Sequence, residues 1–139
     1  MGIVVPTLNN SVFAVMLDEL TTTLGDQGYQ TMIANSGYSE EKEQALVNSF
    51  LAWSPAGIVL TGLHHSRGTI RSLVKAAVPV VEVGEYSQRG IDSVVGFSHY
   101  EVGRVVAKHF VNSGITRAAC VLVALAADYR ARERAAGFC

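Results

Sequence analysis

The chain has 139 residues, of which 49% are hydrophobic and 17% are charged, and its formal net charge is −1. This is the length of one domain, with enough apolar residues to bury a core. Lysines and arginines form no basic block, which argues against a nucleic-acid-binding surface within the chain because phosphate contacts require concentrated positive charge.

The start of the chain and its two cysteines indicate in which cellular compartment the protein is found. No apolar run is long enough to span a bilayer, and Met1 leads into an apolar segment without the basic stretch that opens a signal peptide. These features predict a cytoplasmic protein with no membrane contact, unless a leader has been removed. Cys120 lies in an apolar run and Cys139 is the last residue, so we expect one buried and one terminal thiol, and no disulfide framework.

Residues 2–24 predict a buried strand, a polar turn and a helix. Gly2–Val5 is a short β-branched run that ends at Pro6, as expected of a strand covered on both faces. Residues 7–11 are rich in Thr, Asn and Ser, which favour turns and helix caps. Leucines and a phenylalanine then recur at helical spacing. A loop that follows a parallel strand and enters a helix is where open α/β sheets bind ligands, and its N–H groups favour anionic or oxygen-bearing molecules.

Strands and helices alternate along the rest of the chain. Apolar runs predict strands at 29–34, 57–60, 78–83, 91–95 and 118–124. Helices are predicted from 39 to about 53, over 66–77 and 100–112, and from 129 to 138. The side chains expected to face the core from the second and third of the five helices are Leu46, Val47, Phe50, Leu51, Trp53, Ile70, Leu73 and Val74.

This alternation is typical of βαβ units. It predicts an α/β fold with three layers, in which a mostly parallel sheet carries helices on both faces. Right-handed crossovers place the loops that follow the strands along one edge of such a sheet. We therefore expect polar side chains from distant loops to lie together at that edge.

Several segments, in this order, resemble the effector-binding core of lactose/galactose-repressor-type regulators. The details of VVEVGEY at 80–86 and GIDSVVGFSHY at 90–100 are most similar to the gluconate-operon repressors. The chain departs from the usual pattern at Ser11, where proline is common, and at Val12, where an aromatic is common. The segments that carry the resemblance are GIVVP (2–6), NNSVF (9–13), GIVL (57–60), VPVV (78–81), IDSVV (91–95), FSH (97–99), GR (103–104), KHF (108–110) and ARERAAGF (131–138).

The resemblance implies an architecture and a set of partners. Residues 1–139 would form the N-terminal lobe of a type I periplasmic-binding-protein-like fold, ending near the crossover to a second lobe. The lobe would bind a small-molecule effector, a sugar or a sugar acid such as gluconate, without a cofactor. It would form a homodimer through the helices after its first and third strands. Operator DNA would be bound only by a separate N-terminal helix-turn-helix that this chain does not contain.

The resemblance also implies which residues contact the effector. The first loop and the ends of the third and fourth strands would line the cleft, with an aromatic wall and an arginine that grips a carboxylate or paired hydroxyls. The family often has an acid where Gly84 stands, so an arginine without that acid fits a sugar acid better than a neutral sugar. The expected ligand-binding residues are Leu8, Asn10, Val12, Phe13, Thr61, Gly84, Phe97 and Arg134.

Each of these residues also has a purely structural interpretation. Asn10, like Asn9, is a typical helix cap. Phe13 lies on the apolar stripe of the first helix and is suited to the core. Arg134 lies near two further arginines, an arrangement common on a solvated helix face.

Catalytic and metal chemistry find little support in the pattern. His64 and His65 have no Cys, Asp or Glu at metal-ligand spacing, and no nucleophile stands beside a recognisable base. His99 and His109 are interpreted as ordinary polar positions. We therefore predict no catalytic residue, no metal site and no enzyme activity. The competing functions are a periplasmic sugar-binding protein of a transport system and, more remotely, an α/β enzyme.

Overall fold

The computed structural model describes residues 1–122 and 128–139, in two compact units, Met1–Gly96 and Phe97–Cys139. The first unit holds β1 (Gly2–Val5), α1 (Ser11–Asp26), β2 (Met32–Asn35), α2 (Glu40–Leu51), β3 (Ile58–Thr61), α3 (Arg67–Ala76), β4 (Val80–Val83) and β5 (Ser93–Val95). The second unit holds α4 (His99–Asn112) and α5 (Tyr129–Phe138). No helix in the described ranges is long and apolar enough to cross a membrane.

The five strands form one parallel sheet in the order β2-β1-β3-β4-β5. The connection from β1 to β2 runs toward one side of the sheet, whereas those from β2 to β3 and from β3 to β4 run toward the other. Because such crossovers are right-handed, α1 must cover one face, and α2 and α3 the opposite face. The predicted three-layer α/β architecture is confirmed.

Side chains of the central strands alternate between two separate cores. Ile3 and Val5 of β1 pack with Leu17 of α1 and with Val59 of β3 on one face. On the other face Val4 and three further strand residues pack against α2 and α3. This second core contains Val4, Val47, Phe50, Ile58, Leu60, Leu73 and Val80. Burial on both faces explains why β1 is a continuous apolar run instead of an alternating one.

The second unit is a pair of helices packed closely at two glycines. A Cβ atom on Gly103 of α4 would overlap the backbone carbonyl of Arg134, and one on Gly137 of α5 would overlap that of Tyr100. The rings of Phe110 and Phe138 meet edge to face, with centroids 6.1 Å apart. The absence of a side chain at the two glycines therefore lets the helix backbones approach each other.

Four expectations about the chain's elements and packing are wrong. Residues 118–122 form no strand, and Cys120 is exposed instead of buried; the rest of that predicted strand, 123–124, lies outside the described residues. Trp53 lies beyond the last residue of α2 and is exposed instead of facing the core. On α3, Ile70 and Val74 are exposed, and Thr69 is buried with Leu73 in their place.

Candidate functional site

The carboxyl edge of the sheet, where β1 to β5 end, is built by backbone hydrogen bonds that continue the ladder past the strands. Ser36 N–H donates to the carbonyl of Val5 at 2.9 Å, Gly62 N–H to Val83 at 2.9 Å, and Gly84 N–H to Val95 at 2.9 Å. Each of these bonds fixes the first residue of a loop to the neighbouring strand. These are the loops after β2, β3 and β4. Because all five strands are parallel, the loop after β1 leaves the same edge, as the alternation of elements predicts.

The loop after β1 and the first turn of α1 present apolar side chains together with amide groups. Leu8 is 51% exposed and Val12 is 70% exposed. Asn10 is the N-cap of α1, and its Oδ1 accepts a hydrogen bond from Val12 N–H at 2.9 Å. The structural interpretation of Asn10 is therefore correct, although the cap uses only the oxygen of the amide. Phe13 is half-buried and lies one turn before Leu17, outside the core cluster of the described residues that contains Leu17.

Thr61 and Gly84 take the strand-end positions that the sequence predicts. The Thr61 hydroxyl donates to the carbonyl of Val4 at 3.2 Å, which ties the end of β3 to β1. Gly84 has φ +90°, a backbone conformation that residues with a Cβ rarely adopt. An acidic residue at this position, like any residue with a Cβ, would be strained in this backbone conformation.

Phe97 and Arg134, in the second unit, both contact His99. The Phe97 ring meets the His99 ring nearly edge to face, with centroids 4.9 Å apart. Arg134 Nη1 donates to His99 Nδ1 at 3.0 Å, and its Nη2 lies 4.0 Å from Asp128 Oδ2. Because a guanidinium can only donate, His99 Nδ1 must be the acceptor. His99, interpreted from the sequence as an ordinary polar residue, therefore orients the predicted effector arginine.

The eight expected ligand residues thus fall into two groups. Six of them lie in the first unit, in or beside the loops of the carboxyl edge: Leu8, Asn10, Val12, Phe13, Thr61 and Gly84. Phe97 and Arg134 form the second group, linked through His99. Each group combines an apolar surface with polar atoms, as sites for small polar molecules do.

A buried polar cluster near the carboxyl edge has no counterpart in the sequence analysis. His65, in the loop between β3 and α3, places Nδ1 2.7 Å from Glu43 Oε1 of α2 and Nε2 3.4 Å from Glu82 Oε1 of β4. The exposed fractions of the side chains are 1% for His65, 11% for Glu43 and 2% for Glu82. Glu82 Oε2 also accepts from the backbone N–H of Ile91 at 2.6 Å. The cluster therefore joins four segments of the first unit.

The charge of His65 is set by opposing effects. Burial of the imidazole lowers its pKa, whereas the hydrogen bond to Glu43 and the charges of Glu43 and Glu82 raise it, and the net result is a pKa above the ordinary value. His65 Nε2 also lies 3.1 Å from the carbonyl oxygen of Gly62, which can only accept. A proton on each ring nitrogen satisfies both partners. Among the described residues no group of three His, Cys, Asp or Glu side chains is arranged to hold a metal ion.

Known proteins resemble this chain in both sequence and structure. The HTH-type transcriptional regulator GntR of Escherichia coli (strain K12) is 34% identical over 113 residues, which are 81% of this chain and 34% of that protein. The regulator IdnR of the same strain is 32% identical over 99 residues, 71% of this chain and 30% of that protein. The crystal structure of the transcription regulator GntR from Chromobacterium violaceum superimposes with a TM-score of 0.87 at 33% identity, covering 99% of this chain and 49% of that one.

These matches agree on what the chain is. It spans about a third of the length of the curated relatives, 34% for GntR and 30% for IdnR, and those relatives are transcriptional regulators. The family model for periplasmic binding proteins and the sugar binding domain of the LacI family matches residues 1–139. The chain belongs to this family, as an effector-binding domain of the type found in LacI-family transcriptional regulators.

Proposed function

We propose that this chain is the N-terminal lobe of the effector-sensing core of a bacterial transcriptional regulator, and that its effector is a sugar acid such as gluconate. The arrangement of Arg134, oriented by His99 beside the Phe97 ring, is the observation that carries the proposal. A guanidinium matches a carboxylate in shape and charge, and an aromatic ring packs on the apolar face of a sugar. Gly84 stands where the family often has an acid, and an arginine without that acid fits a sugar acid better than a neutral sugar.

Regulation requires that effector binding change the affinity of a second site. A helix-turn-helix outside this chain would bind operator DNA, and the lobe would be one half of a cleft whose closure moves that domain. The regulator would act in the cytoplasm, where its operator lies. The relatives that cover most of this chain are named as HTH-type transcriptional regulators, which supports this assignment. The coding sequence upstream of Met1 is expected to encode the helix-turn-helix.

Effector preference is tested by titrating the longer protein that contains this chain with gluconate and with glucose in a calorimeter. Loss of a charge-assisted hydrogen bond costs about 1.5–3 kcal/mol, so Arg134→Gln should weaken gluconate binding by roughly 10- to 100-fold. Arg117→Gln removes an exposed arginine in the irregular segment after α4 and serves as the matched control, with unchanged affinity. Tighter binding of glucose than of gluconate would contradict the proposal.

The proposed homodimer forms through α1 and α3. Both helices carry exposed apolar side chains outside the expected effector site, Val15 on α1 and Ile70 and Val74 on α3, which a subunit interface would remove from water. Light scattering of the longer protein after gel filtration should give a dimer mass. A monomer would favour the alternative function, a periplasmic sugar-binding protein of a transport system, which the same family also contains.

A further inference from the structure

The loop between β3 and α3 is attached to α2 by two adjacent polar pairs. Glu43 and Gln44, consecutive residues of α2, face His65 and Ser66, consecutive residues of the loop. His65 Nδ1 lies 2.7 Å from Glu43 Oε1, and the Ser66 hydroxyl donates to Gln44 Oε1 at 2.7 Å. Both pairs are partly buried, so water competes for their hydrogen bonds less than it does at the surface.

His65 differs from Ser66 because it also reaches β4. Its Nε2 atom is 3.4 Å from Glu82 Oε1, while the other oxygen of Glu82 accepts from Ile91 N–H at 2.6 Å. The charged groups that face the ring are Glu43 from α2 and Glu82 from β4, and the carbonyl of Gly62 approaches it from its own loop. Without a proton on both ring nitrogens, one acceptor would face a lone pair in a dry environment.

We propose that His65 is a positioning residue for the carboxyl edge: bridging Glu43 and Glu82, it holds the loop after β3 and the end of β4 in the geometry that the effector meets. Thr61 lies four residues before His65 in the chain and Gly84 lies two residues after Glu82, so the bridge joins the two segments that carry two of the expected ligand positions. This inference rests on the proposed effector site. Deprotonation of His65 removes a donor and a positive charge from between two carboxylates, and the loop then loses its attachment.

The first experiment requires no effector. The imidazole signals of His65 and the backbone amide signals of Leu63 and Ile91 are followed by NMR in the 139-residue chain as pH is raised. The pKa of His65 is raised in the folded chain, so the attachment is complete below about pH 6.5, the unfolded value, and is lost as pH rises through the folded value. We expect the Leu63 and Ile91 amides to change with the same midpoint as the ring, above pH 6.5.

Two variants and a control define the outcomes. Glu82→Gln removes one of the two facing charges and should lower the midpoint, and it keeps the test valid if His65→Gln does not fold. His109→Gln removes an exposed histidine of α4 and should leave the midpoint unchanged. A His65 midpoint at or below about 6.5, or amides of Leu63 and Ile91 that do not follow the ring, would overturn the inference.

The second experiment connects the bridge to binding. In the longer protein, His65→Gln should weaken gluconate binding about tenfold, the lower end of the loss expected for a hydrogen bond to a charged group, and should abolish the dependence of affinity on pH near neutrality. An affinity that keeps the wild-type pH dependence in His65→Gln would contradict the positioning role. Failure of the wild-type protein to bind gluconate would instead refute the proposed effector, and the ligand-free titration would still decide the role of His65.

Discussion

Replacing Gly84 by alanine measures the conformational cost of the turn after β4. Gly84 has φ +90°, and a Cβ atom added there meets no atom within 4 Å, so the substitution creates strain in the backbone but no collision. Holding a residue with a Cβ in such a conformation costs about 1–3 kcal/mol. We expect Gly84→Ala to lower the free energy of unfolding by that amount, because the hydrogen bond from Gly84 N–H to the Val95 carbonyl prevents the turn from relaxing.

The assay is urea unfolding followed by circular dichroism, with the free energy extrapolated linearly to water. Gly25→Ala is the matched control, since the added Cβ also meets nothing within 4 Å but the residue lies in α1 without a positive φ. There alanine should stabilise the helix by about 0.5–1 kcal/mol. Equal changes in the two variants would refute the reasoning, as would a Gly84→Asn variant that is less stable than Gly84→Ala, because asparagine tolerates positive φ better than alanine.

Three further predictions concern packing and capping. Asn10→Ala should lower the free energy of unfolding by about 1 kcal/mol in urea because the Val12 N–H loses its cap, whereas Asn10→Asp should keep it. Leu73→Ala should cost about 2–5 kcal/mol since its side chain is 1% exposed, and Leu8→Ala should change stability by less than about 0.5 kcal/mol; equal effects would contradict the assigned core. Gly137→Ala should separate α4 from α5, seen as loss of the nuclear Overhauser contacts between Phe110 and Phe138, and their persistence would show that the helices need no close approach there.

The strands were predictable because β1 and β3, at the centre of the sheet, are short apolar runs bounded by turn residues. β1 shows why this works: burial on both faces requires all four side chains of Gly2–Val5 to be apolar or small, and its short length, its β-branched residues and the proline that follows distinguish it from a buried helix. Strands β2, β4 and β5 began later than predicted, at Met32, Val80 and Ser93, because an apolar run marks the presence of a strand better than its first residue. Residues 118–122 have the same apolar character, yet they form no strand.

Helix faces were predicted less well than strands. On α3 the apolar residues Ile70 and Val74 suggested the buried side, but Thr69 occupies it with Leu73. The Thr69 hydroxyl lies 3.1 Å from the Ser66 hydroxyl, so its polar atom is satisfied within the first turn and the residue can be buried. A pattern of apolar residues cannot predict the burial of a polar side chain whose hydrogen-bond partner lies in the same helical turn.

The positions of the expected ligand residues followed from the sheet, but the residues that support them did not. Loops after parallel strands leave one edge, so the positions of Leu8, Thr61 and Gly84 follow from the topology. His65 and Glu43 are 22 residues apart and belong to different elements, and no local spacing relates them. His99 and Arg134 are 35 residues apart and likewise meet only through tertiary packing.

The glycine N–H groups that extend the ladder also influence how this fold can diversify. Gly62 and Gly84 anchor their loops at the first residue through a main-chain N–H, so the anchor does not depend on the side chains that follow. Substitutions farther along the same loops then alter the chemistry offered to a solute while the strand pairing beneath stays intact. At exposed loop positions, away from the buried pairs of His65 and Ser66, a sheet of this kind can acquire new recognition properties in small mutational steps that leave folding nearly unaffected.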